Sequence, residues 1–178
     1  MENTYLMNAE DIEKKLKLLN DKMKEKNIYG EISLVGGAVM CLCYKSREVT
    51  KDIDGIFEPK SLIYECIGDI ANELQIPDNW LNDGVKGFLS EKAKFKEHFK
   101  FSNLTVNVAE PEYMLAMKCL SARVENTNEI EDLKYLIKLL NLRIYEDVEN
   151  TVLKYYPANR FLVKTKYLIM EVLESVYS

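Results

Sequence analysis

The sequence predicts an α/β (α+β) fold in which a small mixed β-sheet is flanked by helices and followed by a helical C-terminal portion. Short apolar or alternating runs, which are typical of strands, recur at residues 32–35, 52–57 and 104–108. Segments with apolar residues at helical spacing lie between and after these runs. We expect residues 1–122 to form the core and residues 123–178 to form a helical portion packed on it.

The first half of the chain alternates helix and strand patterns. Asn8 is a good N-cap for a first helix, and Ile32 to Val35 is a short run typical of a buried strand. Ala38 to Tyr44 then predicts a short apolar helix. The first helix carries an apolar stripe formed by Ile12, Leu16, Leu19 and Met23. Ser61 begins a second long helix, whose apolar stripe consists of Ile63, Ile67, Ile70 and Leu74.

The second half begins with a segment rich in turn residues, from Pro77 to Gly87, which we interpret as a loop. The third strand, Leu104 to Val108, places three apolar side chains on one face and Thr105 and Asn107 on the other. Pro111 suits the first turn of the helix that follows. Further helices are expected at about residues 111–122, 129–141, 145–155 and 160–176.

The composition is that of a soluble globular protein, with 47% apolar and 30% charged residues among 178. No apolar run approaches the roughly 18 residues that a membrane span needs, so no membrane partner is expected. The N-terminus lacks the basic and apolar regions of a signal peptide, and we expect a cytoplasmic protein. The four cysteines should be reduced thiols, and the single histidine, His98, should be a surface residue.

The net charge of −5 argues against general nucleic-acid binding. Residues 86–100 nevertheless form a local basic segment in which phenylalanines alternate with lysines. Its simplest interpretation is an amphipathic segment that buries the phenylalanines and solvates the lysines. The functional alternative is a guide for phosphate or RNA.

A glycine pair and an acidic pair carry the functional prediction. Gly36 and Gly37 follow the first strand and predict a bend there. Glycines at a bend let the backbone approach a ligand closely. The N-terminus of the helix that follows favours a phosphate group. Asp52 and Asp54 alternate on the next strand and should therefore share a face. Two carboxylates about 4 Å apart repel by about 4 kcal/mol at an effective dielectric of 20. Mg²⁺ removes that repulsion and binds carboxylate and phosphate oxygens together.

In this order and at this spacing, the elements resemble the nucleotidyltransferase superfamily with the DNA polymerase β-like fold. Gly36-Gly37, Arg47 and Thr50-Lys51-Asp52-Ile53-Asp54 carry the resemblance. The wider chain, over roughly residues 30–140, looks like a bacterial, toxin-like branch of the AbiEii and MenT type. The segments concerned are Trp80 to Phe88, Pro111 to Lys118, Ala122-Arg123 and Glu131-Asp132-Leu133.

The resemblance implies a Mg²⁺- or Mn²⁺-dependent enzyme that uses an NTP as substrate. Asp52 and Asp54 would bind the metal, and Gly36, Gly37, Arg47 and Lys51 would contact the nucleotide phosphates. Lys118 and Asp132 look similar to a lysine and an aspartate of the site in toxin-like members. The implied acceptor is a tRNA, another RNA or a protein, and the implied partner is a cognate antitoxin.

The chain departs from the superfamily pattern at one position. Two further residues, Lys118 and Asp132, also have simpler interpretations that involve no catalysis. Classical members place a third carboxylate, the general base, where this chain has Asn107. A catalytically silent nucleotide-binding or partner-binding module is therefore the alternative, and an interaction protein with a purely structural acid pair is a third hypothesis. Lys118 could be a solvated lysine, and Asp132 a surface acid on an amphipathic helix.

Overall fold

In the computed structural model, the described part of the chain comprises residues 4–122 and 126–178. Arg123 of the resemblance and the first three residues of the N-terminus lie outside it. The chain divides into two compact units, Met1–Gly87 with Phe95–Ala109 and Phe88–Lys94 with Glu110–Ser178. The sequence analysis divided the chain at residues 122 and 123, whereas the contacts group the helix that begins at Pro111 with the C-terminal helices.

The first unit contains a five-stranded mixed sheet and three helices. The strands are β1 (Gly30–Val35), β2 (Ile53–Glu58), β3 (Leu81–Asn82), β4 (Phe95–Lys100) and β5 (Leu104–Ala109), in the order β3-β2-β1-β5-β4. β1 is antiparallel to β2 and parallel to β5, while β3 is parallel to β2 and β4 is antiparallel to β5. The helices are α1 (Ala9–Glu25), α2 (Gly37–Val39), which continues as a π-helical turn over Met40–Tyr44, and α3 (Lys60–Leu74).

Apolar side chains on one face of the sheet pack with α1 and α3 to form the core of this unit. The first helix begins at the predicted cap, because Asn8 and Asp11 form a reciprocal capping box. The predicted stripe of α1 is fully buried, and so are Ile63, Ile67 and Ile70 of α3. Leu74, which we predicted in that stripe, is 45% exposed because the helix ends there.

Two strands were not predicted from the sequence. β3 is only two residues long and lies within the turn-rich segment 77–87, where no alternation is visible. β4 lies within the lysine-rich segment, and a register irregularity between Glu97 and Phe99 breaks its alternation. The predicted burial of the phenylalanines there is wrong for Phe88, which is 58% exposed, and Phe95, Phe99 and Phe101 are only half-buried.

The second unit is helical. Its helices are α4 (Pro111–Ser121), α5 (Thr127–Leu139), α6 (Tyr145–Leu153) and α7 (Val163–Tyr177), with a 3₁₀ turn at Ala158–Arg160. The apolar residues of α5 that face the interior are Leu133, Leu136 and Ile137. Tyr113 of α4 lies tilted against Tyr155 and stacks with Tyr156, and all three residues are buried.

Candidate active site

Asp54 lies on the side of β2 that faces away from the core. Ile53, Gly55 and Phe57 are buried in alternation, whereas Asp54 is half-buried on the opposite side. Asp52 immediately precedes the strand and is also half-buried. Because side chains alternate along a strand, Asp54 presents its carboxylate on the face opposite the buried Ile53 and Gly55.

A glycine bend lies directly against the second carboxylate. Val35, the last residue of β1, is paired with Asp54, and Gly36 follows with φ 73° and ψ −151°. That backbone conformation is essentially restricted to glycine. A Cβ added at Gly36 would lie 3.3 Å from Asp54 Oδ2. The Asp54 carboxylate therefore borders the space that a side chain at Gly36 would occupy.

The second glycine of the pair accommodates an arginine. A Cβ at Gly37 would lie 2.5 Å from Arg47 Nη1 and 2.9 Å from Thr50 Oγ1. The half-buried Arg47 thus places its guanidinium group over the glycine bend. A guanidinium group at this position has the planar, multi-donor geometry that suits phosphate oxygens.

The loop that leads into β2 is fixed by hydrogen bonds on both sides of Asp52. Thr50 exchanges two backbone hydrogen bonds with the buried Met7, of 2.8 and 2.9 Å, and its Oγ1 donates to the carbonyl of Asp52 at 3.1 Å. The N–H of Ile53 donates to the carbonyl of Trp80 at 2.8 Å. The backbone of Asp52 is therefore held by contacts from distant parts of the chain.

Burial raises the pKa of the Asp52 carboxyl, while a hydrogen bond with Asn82 and the charge of Lys51 act in the opposite direction. Desolvation disfavours the ionised form, so this carboxylate is kept in the folded protein at a cost in stability. Lys51 itself is exposed. A bound cation would offset the desolvation of Asp52.

Asn82 is the residue of this site that the sequence analysis did not assign. It lies on β3 in register with Asp54, and hydrogen bonding by its side chain acts to lower the pKa of the Asp52 carboxyl. Its Oδ1 also accepts from the N–H of Gly84 at 3.0 Å, and its Nδ2 donates to the carbonyl of Asn79 at 3.1 Å. The only signal in the sequence is an Asn-Asp-Gly turn, which gives no indication of a partner 30 residues earlier.

Asn107 of β5 lies on the same face of the sheet as Asp54. It is paired with Ser33 of β1, and Ser33 is paired with Ile56 of β2. On its other side Asn107 is paired with Glu97 of β4, which is exposed. Because directly paired residues present their side chains on one face, the amide has a carboxylate as its neighbour.

Lys118 and Asp132 meet inside the second unit. Lys118 Nζ lies 2.6 Å from Asp132 Oδ2, joining α4 to α5, and the two side chains are 9% and 2% exposed. The interpretations of Lys118 as a solvated lysine and of Asp132 as a surface acid are therefore wrong. The amphipathic pattern of α5 does not reveal this burial, because Asp132 lies in the buried stripe of the helix together with Leu133, Leu136 and Ile137.

The acid pair fits one class of metal. The described residues contain no group of three or more histidine, cysteine, aspartate or glutamate side chains that could hold a metal ion. Two carboxylates suit Mg²⁺ or Mn²⁺ when phosphate oxygens and water complete the coordination. None of the four cysteines, all of which are described, forms a disulfide.

Comparison of the chain with protein-family models, curated proteins and solved structures finds no match. Within residues 4–122 and 126–178, no helix combines the length and the hydrophobicity needed to cross a membrane.

Proposed function

We propose that this protein is a Mg²⁺-dependent nucleotidyltransferase, which transfers a nucleoside monophosphate from an NTP to an acceptor hydroxyl and releases pyrophosphate. The position of the Asp54 carboxylate beside the Gly36 bend carries the proposal, because Asp54 Oδ2 borders the space that a side chain at Gly36 would occupy and a backbone bend and a carboxylate thus occur in one place. Asp52, immediately before the strand, would supply a second carboxylate, whose burial raises its pKa and whose ionised form a bound cation would favour. Carboxylates beside a glycine bend are what a metal–triphosphate complex requires.

The residues of the first unit divide into two roles in this proposal. Asp52 and Asp54 would hold Mg²⁺ or Mn²⁺, which polarises the phosphate oxygens and stabilises the charge that develops on them. Gly36 and Gly37 would bring backbone N–H groups to the triphosphate, with Arg47 beside the bend and the exposed Lys51 next to Asp52 as cationic contacts.

Lys118 and Asp132 enter the proposal only through the resemblance. Their ion pair is buried, which is what a structural link between α4 and α5 requires. The double variant Lys118→Met with Asp132→Leu would separate a role of Lys118 in neutralising phosphate charge from this structural role.

The acceptor is proposed to be RNA, with tRNA as the implied case, or a protein, within a toxin–antitoxin pair. Lys96 and Lys100 on the exposed edge strand β4 favour a phosphate-bearing acceptor. The acidic net charge favours a protein acceptor.

Label transfer tests the proposal. Each α-labelled NTP is incubated with Mg²⁺, total cellular RNA or total protein, and either the wild type or Asp54→Ala. We expect label to enter one acceptor class with the wild type and to be lost with Asp54→Ala. The matched control is Asp78→Ala, which removes an exposed aspartate and should leave transfer unchanged. Transfer that survives Asp54→Ala would exclude the proposed site.

A catalytically silent nucleotide-binding module is the second candidate, and Asn107 is the observation that favours it. An amide cannot accept the proton of an attacking hydroxyl. NTP with Mg²⁺ would then stabilise the fold without any label transfer. Indifference of the fold to Mg²⁺ and NTP together would instead favour an interaction protein with a structural acid pair.

A further inference from the structure

An aspartate, a tyrosine and a lysine form a cluster beside the candidate site, and the proposed reaction does not use them. Asp83 directly follows strand β3, while Lys60 and Tyr64 lie one turn apart at the start of α3. The Tyr64 hydroxyl donates to Asp83 Oδ1, and Lys60 Nζ lies 2.6 Å from Asp83 Oδ2. Each oxygen of the Asp83 carboxylate therefore has its own partner on the same helix.

The tyrosine hydroxyl holds Asp83 by its backbone as well as by its side chain. The N–H of Asp83 donates to the Tyr64 hydroxyl at 3.3 Å, so one hydroxyl both donates to and accepts from the same residue. The Tyr64 ring packs edge-on against Phe57 of β2, with 4.9 Å between the ring centroids. Hydrogen bonds from Lys60 and Tyr64 lower the pKa of the Asp83 carboxyl, which is therefore ionised at neutral pH. These contacts fix the main chain at residue 83.

The same helix holds the chain at the other end of β3. The indole N–H of the fully buried Trp80 donates to the carbonyl of Ile67 in α3 at 3.2 Å. Strand β3 lies between this contact and Asp83 and is only two residues long. Because so short a strand has few ladder hydrogen bonds of its own, its contacts with α3 determine where it lies.

The residue held between these two anchors is Asn82, whose amide has a fixed orientation. Its Oδ1 accepts from the N–H of Gly84 and its Nδ2 donates to the carbonyl of Asn79, at 3.0 and 3.1 Å. An amide nitrogen carries two hydrogens, so these two bonds leave one N–H of Asn82 for a further acceptor. Asn82 is paired with Asp54, and paired residues of neighbouring strands share a face. The lowered pKa that hydrogen bonding by Asn82 gives to the Asp52 carboxyl is the effect of a donor.

We propose that Tyr64 and Asp83 are positioning residues that hold the amide of Asn82 as a hydrogen-bond donor at the acid pair. Tyr64 fixes Asp83, and Asp83 fixes the turn that contains Asn82. The acid pair is the cation site of the proposed function, on which this role rests. A donor to one of its carboxylates restricts the directions in which that carboxylate meets a metal ion, and such donors commonly change metal affinity by about tenfold or more.

The side-chain amide signals of Asn82 test the positioning without any metal. In a ¹H–¹⁵N spectrum of the full-length protein, Asn82→Ala identifies these signals by their absence. Tyr64→Phe removes only the hydroxyl and should shift them toward the values of a solvent-exposed amide. The matched control is Tyr145→Phe, which removes another half-buried hydroxyl, bonded to Glu149 Oε1 at 3.2 Å, and should leave the signals in place.

Asp83→Asn is the second variant and keeps the measurement decisive if Tyr64→Phe does not fold. It removes the charge that pairs with Lys60 and should shift the Asn82 amide signals in the same direction. Its matched control is Asp69→Asn, which breaks the ion pair of 2.7 Å between Asp69 of α3 and Lys26 of α1. That substitution should not move the Asn82 signals.

Mn²⁺ binding tests the consequence for the acid pair. The relaxation of water protons measures the affinity for Mn²⁺ alone. Asn82→Ala should weaken that affinity about tenfold, and Tyr64→Phe should weaken it in the same direction by a smaller factor. Tyr64→Phe combined with Asn82→Ala should cause no further loss, because Tyr64 acts only through Asn82. Urea denaturation establishes that every variant is folded under the conditions of the measurement.

Asn82 amide signals that stay in place in both Tyr64→Phe and Asp83→Asn would overturn the proposal. So would additive losses of Mn²⁺ affinity in the double variant, or a destabilised Tyr64→Phe that binds Mn²⁺ as tightly as the wild type. A wild type that binds no Mn²⁺ would contradict the proposed function instead. The amide signals would then still decide whether Tyr64 and Asp83 hold Asn82.

Discussion

At the scale of single residues, the conformation of Gly36 determines how the bend after β1 meets the acid pair. A left-handed φ of 73° combined with a ψ of −151° is a region that side chains exclude. The space that a Cβ would take borders Asp54 Oδ2 at 3.3 Å. The lack of a side chain at Gly36 therefore permits both the backbone conformation of the bend and the position of the Asp54 carboxylate beside it.

Gly36→Ala should lower the free energy of unfolding by about 1–3 kcal/mol, because alanine is strained in this conformation and crowds Asp54. Urea denaturation measures the change. The matched control is Gly68→Ala within α3, where an added Cβ meets nothing within 4 Å. That substitution should stabilise the protein by about 0.5–1 kcal/mol through helix propensity. Equal effects of the two substitutions would contradict the role of Gly36.

Asp52→Asn should raise the stability of the metal-free protein at neutral pH. Burial raises the pKa of Asp52 in the folded protein above its ordinary value of 3.8, so the folded state binds this proton more readily than the unfolded chain. The ionised carboxylate then lowers stability at pH values above its folded pKa, and this loss disappears as the pH falls toward 3.8. Denaturation midpoints at several pH values should show a flatter profile for Asp52→Asn, with the difference largest at the high-pH end.

Asn82→Ala should raise the pKa of Asp52 further, because it removes a hydrogen bond that favours the ionised carboxyl. Carboxyl ¹³C shifts followed through an NMR titration measure this directly. Asn79→Ala is the matched control, since Asn79 contributes its backbone carbonyl to the same turn and its side chain is not needed for that bond. An unchanged Asp52 titration in Asn82→Ala would remove Asn82 from the site.

At the scale of secondary-structure elements, α4 and α5 are joined by a charged contact inside an apolar interior. Lys118 and Asp132 lie 2.6 Å apart and are both buried. Removing one partner of such a pair leaves an uncompensated charge, whereas replacing both with apolar residues of similar size does not. The pair therefore offers a way to separate structural from catalytic contributions.

Lys118→Met should cost about 3–5 kcal/mol of stability, and adding Asp132→Leu should recover much of that loss. Glu131→Ala, which breaks the more exposed pair between Glu131 and Lys134 on α5, should cost less than about 1 kcal/mol. Denaturant unfolding measures all three. If the double variant is stable but label transfer is lost, Lys118 or Asp132 acts in the reaction. If the double variant recovers label transfer together with stability, the pair is structural.

At the scale of the whole molecule, bound ligand should appear as added stability. A ligand that binds only the folded protein stabilises it by RT ln(1 + [L]/Kd), about 2.7 kcal/mol when its concentration is a hundred times Kd. Mg²⁺ and NTP together should therefore raise the melting temperature more than either alone. Asp54→Ala should abolish the difference, and an identical response of wild type and variant would place the ligand elsewhere.

Much of the fold could be predicted because strong local patterns coincide with buried faces. The capping box at Asn8, the stripe of α1 and the alternation of Leu104 to Val108 each follow from local spacing. Strand β3 could not be predicted, since two residues cannot show a period. Strand β4 was hidden because an irregularity at an exposed, lysine-rich edge interrupts its alternation.

The sequence by itself determined the fold class, the glycine bend and the alternation of β2 that turns Asp54 away from the core, because each depends on neighbours within a few residues. Only the tertiary structure decided that Asp54 lies beside Gly36, that Asn82 acts on the Asp52 carboxyl and that Lys118 pairs with Asp132. Those contacts join residues 14 to 30 positions apart. The physical reason is that spacing fixes the direction of a side chain on its own element, whereas its partner depends on how the elements pack.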